Sequence, residues 1–286
     1  MIAHLYRLRC LTNLHVGSGD VNYNIIDNEV EKDPVLEAPI IHATGVKGAL
    51  RAHFERLWQG KPEFEKIAKV FGSPVRASKS NLDSTRPGSY CFLDAPLLTR
   101  PLRVSEFADK GPSFVSATSI EIINAAVTLL QGLGIREIGG QSLEQIALPD
   151  PKTLPKKGFW KLNKGVAAAK AEGLSVQSVP ANAGSAFLNS LPGLLRAPLG
   201  TDQAVITENS ILWDIALPVL AHNHLEDGES KNLFYEEVVP HHSVFLLPVL
   251  TPEQENVLES GLLSTAVQFG SGASLGYGLT RIEKVV

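Results

Sequence analysis

The spacing of hydrophobic and polar residues predicts a strand at the start of the chain and a helix soon after it. Residues 2–12 alternate, which is the period of a strand and places Leu5 on the face opposite Tyr6. Between Gly45 and Trp58 apolar residues recur every three or four positions, which indicates a helix buried along one side. The apolar residues of that helix are Val46, Leu50, Phe54 and Leu57.

The rest of the pattern mixes helices and strands. Further helices are predicted at 62–71, 118–133 and 251–269, and residues 150–200 are predicted to be partly helical. Further strands are predicted at 89–98, 203–220, 232–239, 243–250 and 279–285, with a hairpin turn at Glu226-Asp227-Gly228. This order favours an α+β fold in one domain of residues 1–286, a ferredoxin-like sheet of the RNA-recognition type with large insertions.

A long connection, residues 13–43, separates the first strand from the first helix. Connections of about 30 residues without secondary structure are uncommon in compact domains and are usually functional or disordered. Because the connection contains Ile25 and Ile26, we interpret it as an ordered, functional insertion. Asp27 and Asp33 within it are hard oxygen donors suited to Mg²⁺. The alternative for either residue is an Asx-turn, which is the commoner role of a loop aspartate.

Composition narrows the class of protein. The chain has 286 residues, of which 44% are hydrophobic and 20% charged, as expected for a globular protein. No apolar run approaches the roughly 20 residues that a membrane helix needs, and the first residues lack the pattern of a secretion signal. The two cysteines, Cys10 and Cys91, give no disulfide framework or zinc-ligand spacing. We therefore expect a cytoplasmic protein with no membrane partner.

The distribution of charge says more than its total. The net charge is −4, which by itself argues against nucleic acid. Residues 40–110, however, sum to +5 and residues 200–286 to −9. Such a division suits a subunit that holds phosphate with one face and contacts another copy with a second face. Chance variation in composition is the alternative.

Lys47 and Arg51 form a candidate phosphate site. They stand four residues apart on the predicted helix and so share one face. Thr44 is predicted to cap that helix, and its first turn would present backbone N–H groups and the positive end of the helix dipole. The alternative is a solvated face on which Arg51 pairs with Glu55.

A glycine-rich segment, Gly270–Gly278, precedes the last strand. Its four glycines would let backbone approach a ligand closely. The segment lacks the Lys-Ser/Thr ending of a phosphate-binding loop, and it runs from helix to strand, the reverse of a dinucleotide fingerprint. A loop along an RNA backbone and a plain helix end with a turn both remain open.

The eight histidines offer one further kind of chemistry. His15 and His42 could serve as acid and base in RNA cleavage. The pairs 222/224 and 241/242 invite a metal interpretation, but no cysteine or carboxylate spacing supports zinc.

Several motifs taken together resemble one known family. They are Leu14-His15-Val16-Gly17-Ser18-Gly19, the run 26–34, Thr44-Gly45-Val46-Lys47-Gly48-Ala49-Leu50-Arg51 and the glycine-rich segment 270–278. In this order they resemble RAMP-superfamily backbone subunits of type III CRISPR effector complexes. The stretches 92–103, 114–118 and 232–237 are similar to the fourth subunit of the Cmr (type III-B) module. The resemblance covers nearly the whole chain as a single RAMP domain.

The resemblance implies an antiviral ribonucleoprotein subunit that binds guide RNA along a helical filament and cuts the paired target RNA. Its implied partners are guide RNA, target RNA, other copies of itself and other type III subunits. Residues 13–43 would be an inserted catalytic loop, and a thumb-like hairpin within 190–237 would wedge into the duplex. Asp27 would match the catalytic aspartate of an endoribonuclease and would hold a weakly bound Mg²⁺. The ribose 2′-hydroxyl would attack the adjacent phosphate, which confines cutting to RNA.

The resemblance also implies a set of RNA-binding residues. They are His15, Gly17, Ser18, Gly19, Thr44, Lys47, Arg51, Gly270, Ser271, Gly272 and Gly276.

Three other functions remain open from the sequence. One is a metal-independent endoribonuclease that processes CRISPR repeats with His15 or His42. Another is a scaffold subunit that binds RNA without cutting it, in which Asp27 only shapes its loop. A generic α+β enzyme is the third, and the absence of a coherent catalytic triad disfavours it.

Overall fold

A computed structural model describes most of the chain. The described residues are 1–17, 19, 25–73, 86–107, 110–138, 141–145, 154, 157–162, 166–179, 203–254 and 256–285. Ser18 and residues 190–202 of the predicted thumb lie outside these ranges. None of the helices in the described ranges combines the length and apolarity that a membrane crossing requires.

The described elements confirm the α+β class, with a large sheet at the centre. The helices are α1 (Ala43–Leu57), α2 (Lys66–Phe71), α3 (Ile120–Gly132), α4 (Asn209–Asp214) and α5 (Glu259–Ser264). The strands of the N-terminal half are β1 (Ile2–Cys10), β2 (Ile40–Ile41), β3 (Cys91–Phe92), β4 (Ala95–Phe107), β5 (Phe114–Ser119), β6 (Glu137–Ile138) and β7 (Gln141–Ser142). Those that follow are β8 (Gly158–Lys161), β9 (Ala168–Ala171), β10 (Leu174–Gln177), β11 (Ala204–Thr207), β12 (Val219–Glu226), β13 (Glu229–Glu237), β14 (Val244–Thr251), β15 (Val267–Gln268) and β16 (Leu279–Lys284).

The first and last elements of the chain form one antiparallel sheet. Its strand order is β15-β16-β1-β14-β4, and each neighbouring pair in it is antiparallel. Helix α1 lies in sequence between β1 and β4, and α5 lies between β14 and β16. Because β1 pairs with both β14 and β16, the two ends of the chain are held side by side.

A second part of the sheet closes into a ring of six strands. The pairings run β4-β5-β11-β8-β10-β9, and β9 then returns to β4. Strand β4 is long enough to serve both parts, because Leu97 and Thr99 pair with β14 while Arg100–Arg103 pair with β5. Each of these six described strands is paired on both sides, so none of them is an edge strand.

The sheet separates two hydrophobic cores, because the alternation of β1 directs successive side chains to opposite faces. Tyr6 packs with Leu50 and Phe54 of α1, whereas Leu5 packs with α3 and the strands of the ring. Tyr6, Leu5 and Phe54 are fully buried. The predicted opposition of Leu5 and Tyr6 is confirmed, and both faces of this strand are core.

The sequence prediction for the start of α1 is wrong at the cap. The helix begins at Ala43 with His42 as its N-cap, so Thr44 lies within the first turn. The carboxylate of Asp94 accepts a hydrogen bond from Ala43 N–H at 2.6 Å and replaces a local cap. A partner distant in sequence therefore overrides the best local capping residue.

Two other helix predictions are also wrong. Residues 251–269 form the short α5 and the strand β15 instead of one long helix. Thr251 is the last residue of β14, and its hydroxyl donates to the Glu253 carbonyl, so it does not cap a helix there. Of residues 150–200, the described parts contain strands β8, β9 and β10 and no helix.

Candidate functional site

Asp27 lies against the hairpin formed by β12 and β13. One carboxylate oxygen, Oδ2, accepts a hydrogen bond from Tyr235 N–H at 2.8 Å, and Asp27 N–H donates to the Tyr235 carbonyl at 3.1 Å. Asn28 forms a parallel bridge with Glu236. The connection 13–43 is therefore joined to the edge of β13, and Asp27 is an exposed residue on ordered backbone.

Glu237 fixes the base of this arrangement. It is only 6% exposed, and its carboxylate accepts from Val30 N–H at 3.1 Å and from Lys32 Nζ at 3.1 Å. Its backbone N–H donates to the Asn28 carbonyl at 2.9 Å. A buried carboxylate satisfied by a cation and a backbone donor costs little desolvation energy and holds both groups in place. Glu237 thus sets the position of the segment that carries Asp27.

His15 joins the same hairpin to the glycine-rich segment. Its Nδ1 lies 2.7 Å from the Glu237 carbonyl, and its own carbonyl accepts from Ser271 N–H at 2.9 Å. A side chain at Gly270 would overlap the His15 carbonyl, and one at Gly17 would lie 2.9 Å from His15 Nε2. The structure therefore brings together His15, Gly17, Gly270 and Ser271.

His15 itself is a poor candidate for acid–base catalysis. It is 5% exposed, and Nε2 faces the Glu236 carboxylate at 3.7 Å. With both ring nitrogens directed at protein groups, the imidazole acts as a structural link between two loops.

The glycine-rich segment forms a compact turn. Gly270, Gly272, Gly276 and Gly278 all have φ between 70° and 79°, a conformation that glycine adopts without strain. A short 3₁₀ turn, Ala273–Leu275, stands between them. Gly276 faces open space, whereas Gly272 packs on Tyr277. The segment therefore presents exposed backbone at its tip and close packing at its ends.

Tyr277 and the hairpin meet around a second carboxylate. The Tyr277 hydroxyl lies 3.5 Å from His222 Nε2, which lies 3.2 Å from Glu236 Oε2. Burial and the nearby Glu236 raise the pKa of Tyr277, so its hydroxyl stays protonated. The His222 ring stacks on Phe234, with ring centres 5.0 Å apart.

Helix α1 presents Lys47 and Arg51 on one side, as predicted. Arg51 donates to the Glu55 carboxylate at 2.8 Å and to the Gly72 carbonyl at 3.2 Å. The pairing with Glu55 is the one that the alternative interpretation predicts. Among the described residues nothing forms a hydrogen bond or ion pair with Lys47. Thr44 is exposed on the first turn. Of the two cations, Lys47 is the one available for a phosphate.

A groove of about 820 Å³ runs along the other side of α1. Its lining combines small residues of α1 with Gly270 of the glycine-rich segment. The lining includes Gly45, Ala49, Ala52, Arg56, Phe64, Gln268 and Gly270. Lys47 and Arg51 do not line it, so the lysine face and the glycine-rich segment flank the helix on two sides.

A buried arginine anchors the approach to β12. Arg100 is 3% exposed and donates to the carbonyls of Ile215 and Ala216 at 2.6 and 2.9 Å. Burial lowers the pKa of Arg100 to about 10, which leaves it protonated at neutral pH. Its guanidinium also lies 5.5 Å from the centre of the Trp213 ring. The hairpin is thus fastened at both of its ends.

The other candidate metal ligands do not assemble. Asp33 Oδ1 accepts from Val35 and Leu36 N–H at 2.9 and 2.8 Å, which confirms the Asx-turn. His42 lies between Glu31 and Asp94 at the helix start. Across the described part of the chain, His, Cys, Asp and Glu side chains form no group of three that could hold a metal.

The sequence did not reveal several residues of this region. Glu236 and Glu237 lie in a stretch that resembled the family, yet the motif gave neither of them a role. The position of Tyr277 between two loop glycines was the one local signal that it contacts another segment. Asp94 and Arg100 also lie in a stretch that resembled the family, but nothing local indicated their contacts, because each acts on backbone far away in sequence.

Comparison with known proteins identifies the family. No curated protein sequence matches the chain significantly. Solved structures with low sequence identity share the fold. A cryo-EM structure of the type III-B Cmr-beta complex in the apo state contains a chain with a TM-score of 0.74 and 20% identity, covering 99% of this chain and 97% of that one.

Two further structures agree with this fold. The type III-B Cmr-beta complex bound to cognate target RNA gives a TM-score of 0.72 at 18% identity, with 100% and 98% coverage. Crystalline oligomeric Cmr4 from Pyrococcus furiosus gives 0.65 at 17% identity, with 100% and 99% coverage. At the level of sequence, the profile of the RAMP superfamily matches residues 7–281. The chain belongs to the RAMP superfamily.

Proposed function

We propose that this chain is a backbone subunit of a type III CRISPR ribonucleoprotein, which binds guide RNA and cleaves the paired target RNA through Asp27. One observation carries the proposal. The His15 segment, the glycine-rich segment and the β12–β13 hairpin converge, and Asp27 lies exposed on the edge of that hairpin. The fold shared with subunits of Cmr complexes, one of them bound to target RNA, supports it.

Two architectural proposals accompany it. The order β16-β1-β14-β4 with α1 and α5 matches a ferredoxin-like unit, to which we assign the predicted RNA-recognition sheet. The six-stranded ring would then be an elaboration between its halves. We assign the thumb to the β12–β13 hairpin, whose Leu225 and Leu233 are 58% and 51% exposed. Exposed aliphatic side chains on a projecting hairpin suit insertion between bases.

The chemistry follows from the position of Asp27. With Oδ2 held by Tyr235 N–H, Oδ1 remains to accept a hydrogen bond from a ribose 2′-hydroxyl. The 2′ oxygen would bond to the adjacent phosphorus as the bond to the 5′ oxygen breaks. The 2′ proton leaves toward the carboxylate, and the 5′ oxygen takes a proton from water. The products are a 2′,3′-cyclic phosphate and a 5′-hydroxyl end.

Mg²⁺ fits this region only if protein and RNA together supply its ligands. The described residues supply no group of three protein ligands, but Mg²⁺ is commonly held by one or two carboxylates together with substrate phosphates. Asp27 is the protein residue that would hold it. When bound, the ion would neutralise the negative charge that develops on the phosphate.

A direct test is reconstitution with guide RNA and a labelled target, comparing wild type with Asp27→Asn. The purely structural alternative is supported by the hydrogen bond of Asp27 to Tyr235, and the same comparison decides between them. In the repeat-processing alternative His15 is buried and bonded, which leaves the half-exposed His42 as its candidate histidine.

Lys47→Ala is expected to weaken guide binding and to lower its salt dependence. Loss of one phosphate contact should reduce the slope of log affinity against log salt by about 0.7 to 0.9. Arg51→Ala should change the slope less, because Arg51 is already paired with Glu55. Filter binding across a salt series measures both. Equal slopes for Lys47→Ala and wild type would show that Lys47 does not contact a guide phosphate.

Copies of the chain are expected to associate head to tail. A contact between unlike surfaces, such as the acidic residues 200–286 and the basic residues 40–110, is heterologous and generates open filaments. Light scattering should therefore show a mass that grows with protein concentration and with guide RNA. A closed dimer under both conditions would contradict this arrangement.

A further inference from the structure

A chain of side-chain contacts leads from the glycine-rich segment to Asp27. It begins at the Tyr277 hydroxyl, 3.5 Å from His222 Nε2, and continues to Glu236 Oε2, 3.2 Å from the same nitrogen. Tyr235 directly precedes Glu236 in β13, and its backbone N–H and carbonyl both form hydrogen bonds with Asp27. The first link, Tyr277 to His222, spans 55 positions, and the last, Tyr235 to Asp27, spans 208, so the contacts fix the relative positions of two loops and a hairpin.

The hairpin depends on such contacts for its orientation. Strands β12 and β13 form a two-stranded sheet of their own, separate from the main sheet. An isolated two-stranded hairpin is marginally stable in water, so contacts at its base decide how it is held. His222 and Glu236 are 22% and 13% exposed, which makes their interaction stronger than that of a solvated surface pair.

Packing against two aromatic rings restricts the orientation of the His222 side chain. The His222 ring lies nearly parallel to Phe234, at 17°, and Tyr277 approaches it edge-on at 6.2 Å. His222 is thus held between a hairpin residue and a residue of the glycine-rich segment. Such geometry restricts the imidazole to one orientation, in which Nε2 faces Glu236.

We propose that His222 and Tyr277 are positioning residues, which set the hairpin edge bearing Asp27 relative to the glycine-rich segment. The proposal rests on the proposed function, in which that segment holds guide RNA and Asp27 acts on the target. RNA bound to the glycine-rich segment is thereby placed at a fixed position relative to the Asp27 carboxylate. Neither residue touches the reacting atoms.

The test uses three variants of the full chain assembled with guide RNA. His222→Ala removes the link, Tyr277→Phe removes only the hydroxyl, and His222→Gln keeps an N–H donor where Nε2 stands. Arg136→Ala is the control for loss of one ion pair, because Arg136 lies outside the hairpin and pairs with Glu144, their side chains 68% and 66% exposed. Single-turnover cleavage of labelled target is measured beside the dissociation constants for guide and target.

We expect His222→Ala to slow cleavage by on the order of tenfold to a hundredfold, as a displacement of about 1 Å would. Guide and target affinities should stay within about twofold of wild type. His222→Gln should recover most of the rate, and Arg136→Ala should match wild type. Tyr277→Phe added to His222→Ala should cost little more, since both act through one link. Wild-type rates in both His222 variants, or equal losses of affinity and rate, would overturn the proposal.

Amide hydrogen exchange of the RNA-free chain separates this idea from the proposed function. His222→Ala should speed exchange in peptides covering 27–28 and 235–237, and His222→Gln should restore protection. If wild type does not cleave target, the proposed function fails and the exchange result still decides the positioning. Unchanged exchange in His222→Ala would then overturn it.

Discussion

Asp27→Asn is expected to abolish target cleavage while leaving the ribonucleoprotein intact. Groups that take or orient a proton in the transition state contribute typically about 10²- to 10⁴-fold, so the rate should fall by at least about 100-fold. Asparagine retains a side-chain oxygen that can accept from Tyr235 N–H. The free energy of unfolding should therefore change by no more than about 0.5 kcal/mol. Denaturing gels of labelled target, run with Mg²⁺ and with chelator, measure the loss.

Asp33→Asn is the matched control for this change. Asp33 lies in the same connection, and among the described residues its carboxylate accepts from the N–H groups of Val35 and Leu36. Asparagine can accept both bonds, so cleavage should persist. Asp27→Ala adds a second comparison, because it also removes the hydrogen bond to Tyr235. Full cleavage by Asp27→Asn would reduce the chain to a scaffold, with the catalyst elsewhere.

Gly270→Ala is expected to destabilise the chain and to weaken guide binding together. Gly270 has φ of 71°, and an added Cβ would overlap the His15 carbonyl oxygen, which is backbone and cannot move aside. The strained conformation costs about 1–2 kcal/mol and overpacking about 1–3 kcal/mol more. Relief of the overlap would separate the glycine-rich segment from His15. Urea denaturation and filter binding measure the two effects.

Comparison with Gly276→Ala isolates the contribution of the close contact between Gly270 and His15. Gly276 has φ of 79°, similar to Gly270, but an added Cβ at Gly276 would meet no atom within 4 Å. This variant should show only the conformational cost, about 1–2 kcal/mol. Similar losses of stability in the two variants would mean that packing on His15 contributes little.

Short-range features of the chain could be predicted from its sequence. The alternation of β1, the apolar side of α1 and the turn at Asp227-Gly228 all depend on residues a few positions apart. Asp227 and Gly228 have φ of 50° and 84°, which suits the tight hairpin turn that this pair favours. The Asx-turn at Asp33 belongs to the same group. In each case backbone sterics and neighbouring side chains suffice.

Contacts between distant segments were decided only by the tertiary structure. The hydrogen bond of Asp27 to Tyr235 spans 208 positions, and that of Asp94 to Ala43 spans 51. The six-stranded ring depends on the pairing of β4 with β9, which no local pattern announces. Polar residues such as Glu236 have the same local signal whether they face water or a partner. Long-range pairing requires the whole core to assemble first, and for that reason the sequence could indicate Asp27 but not what holds it.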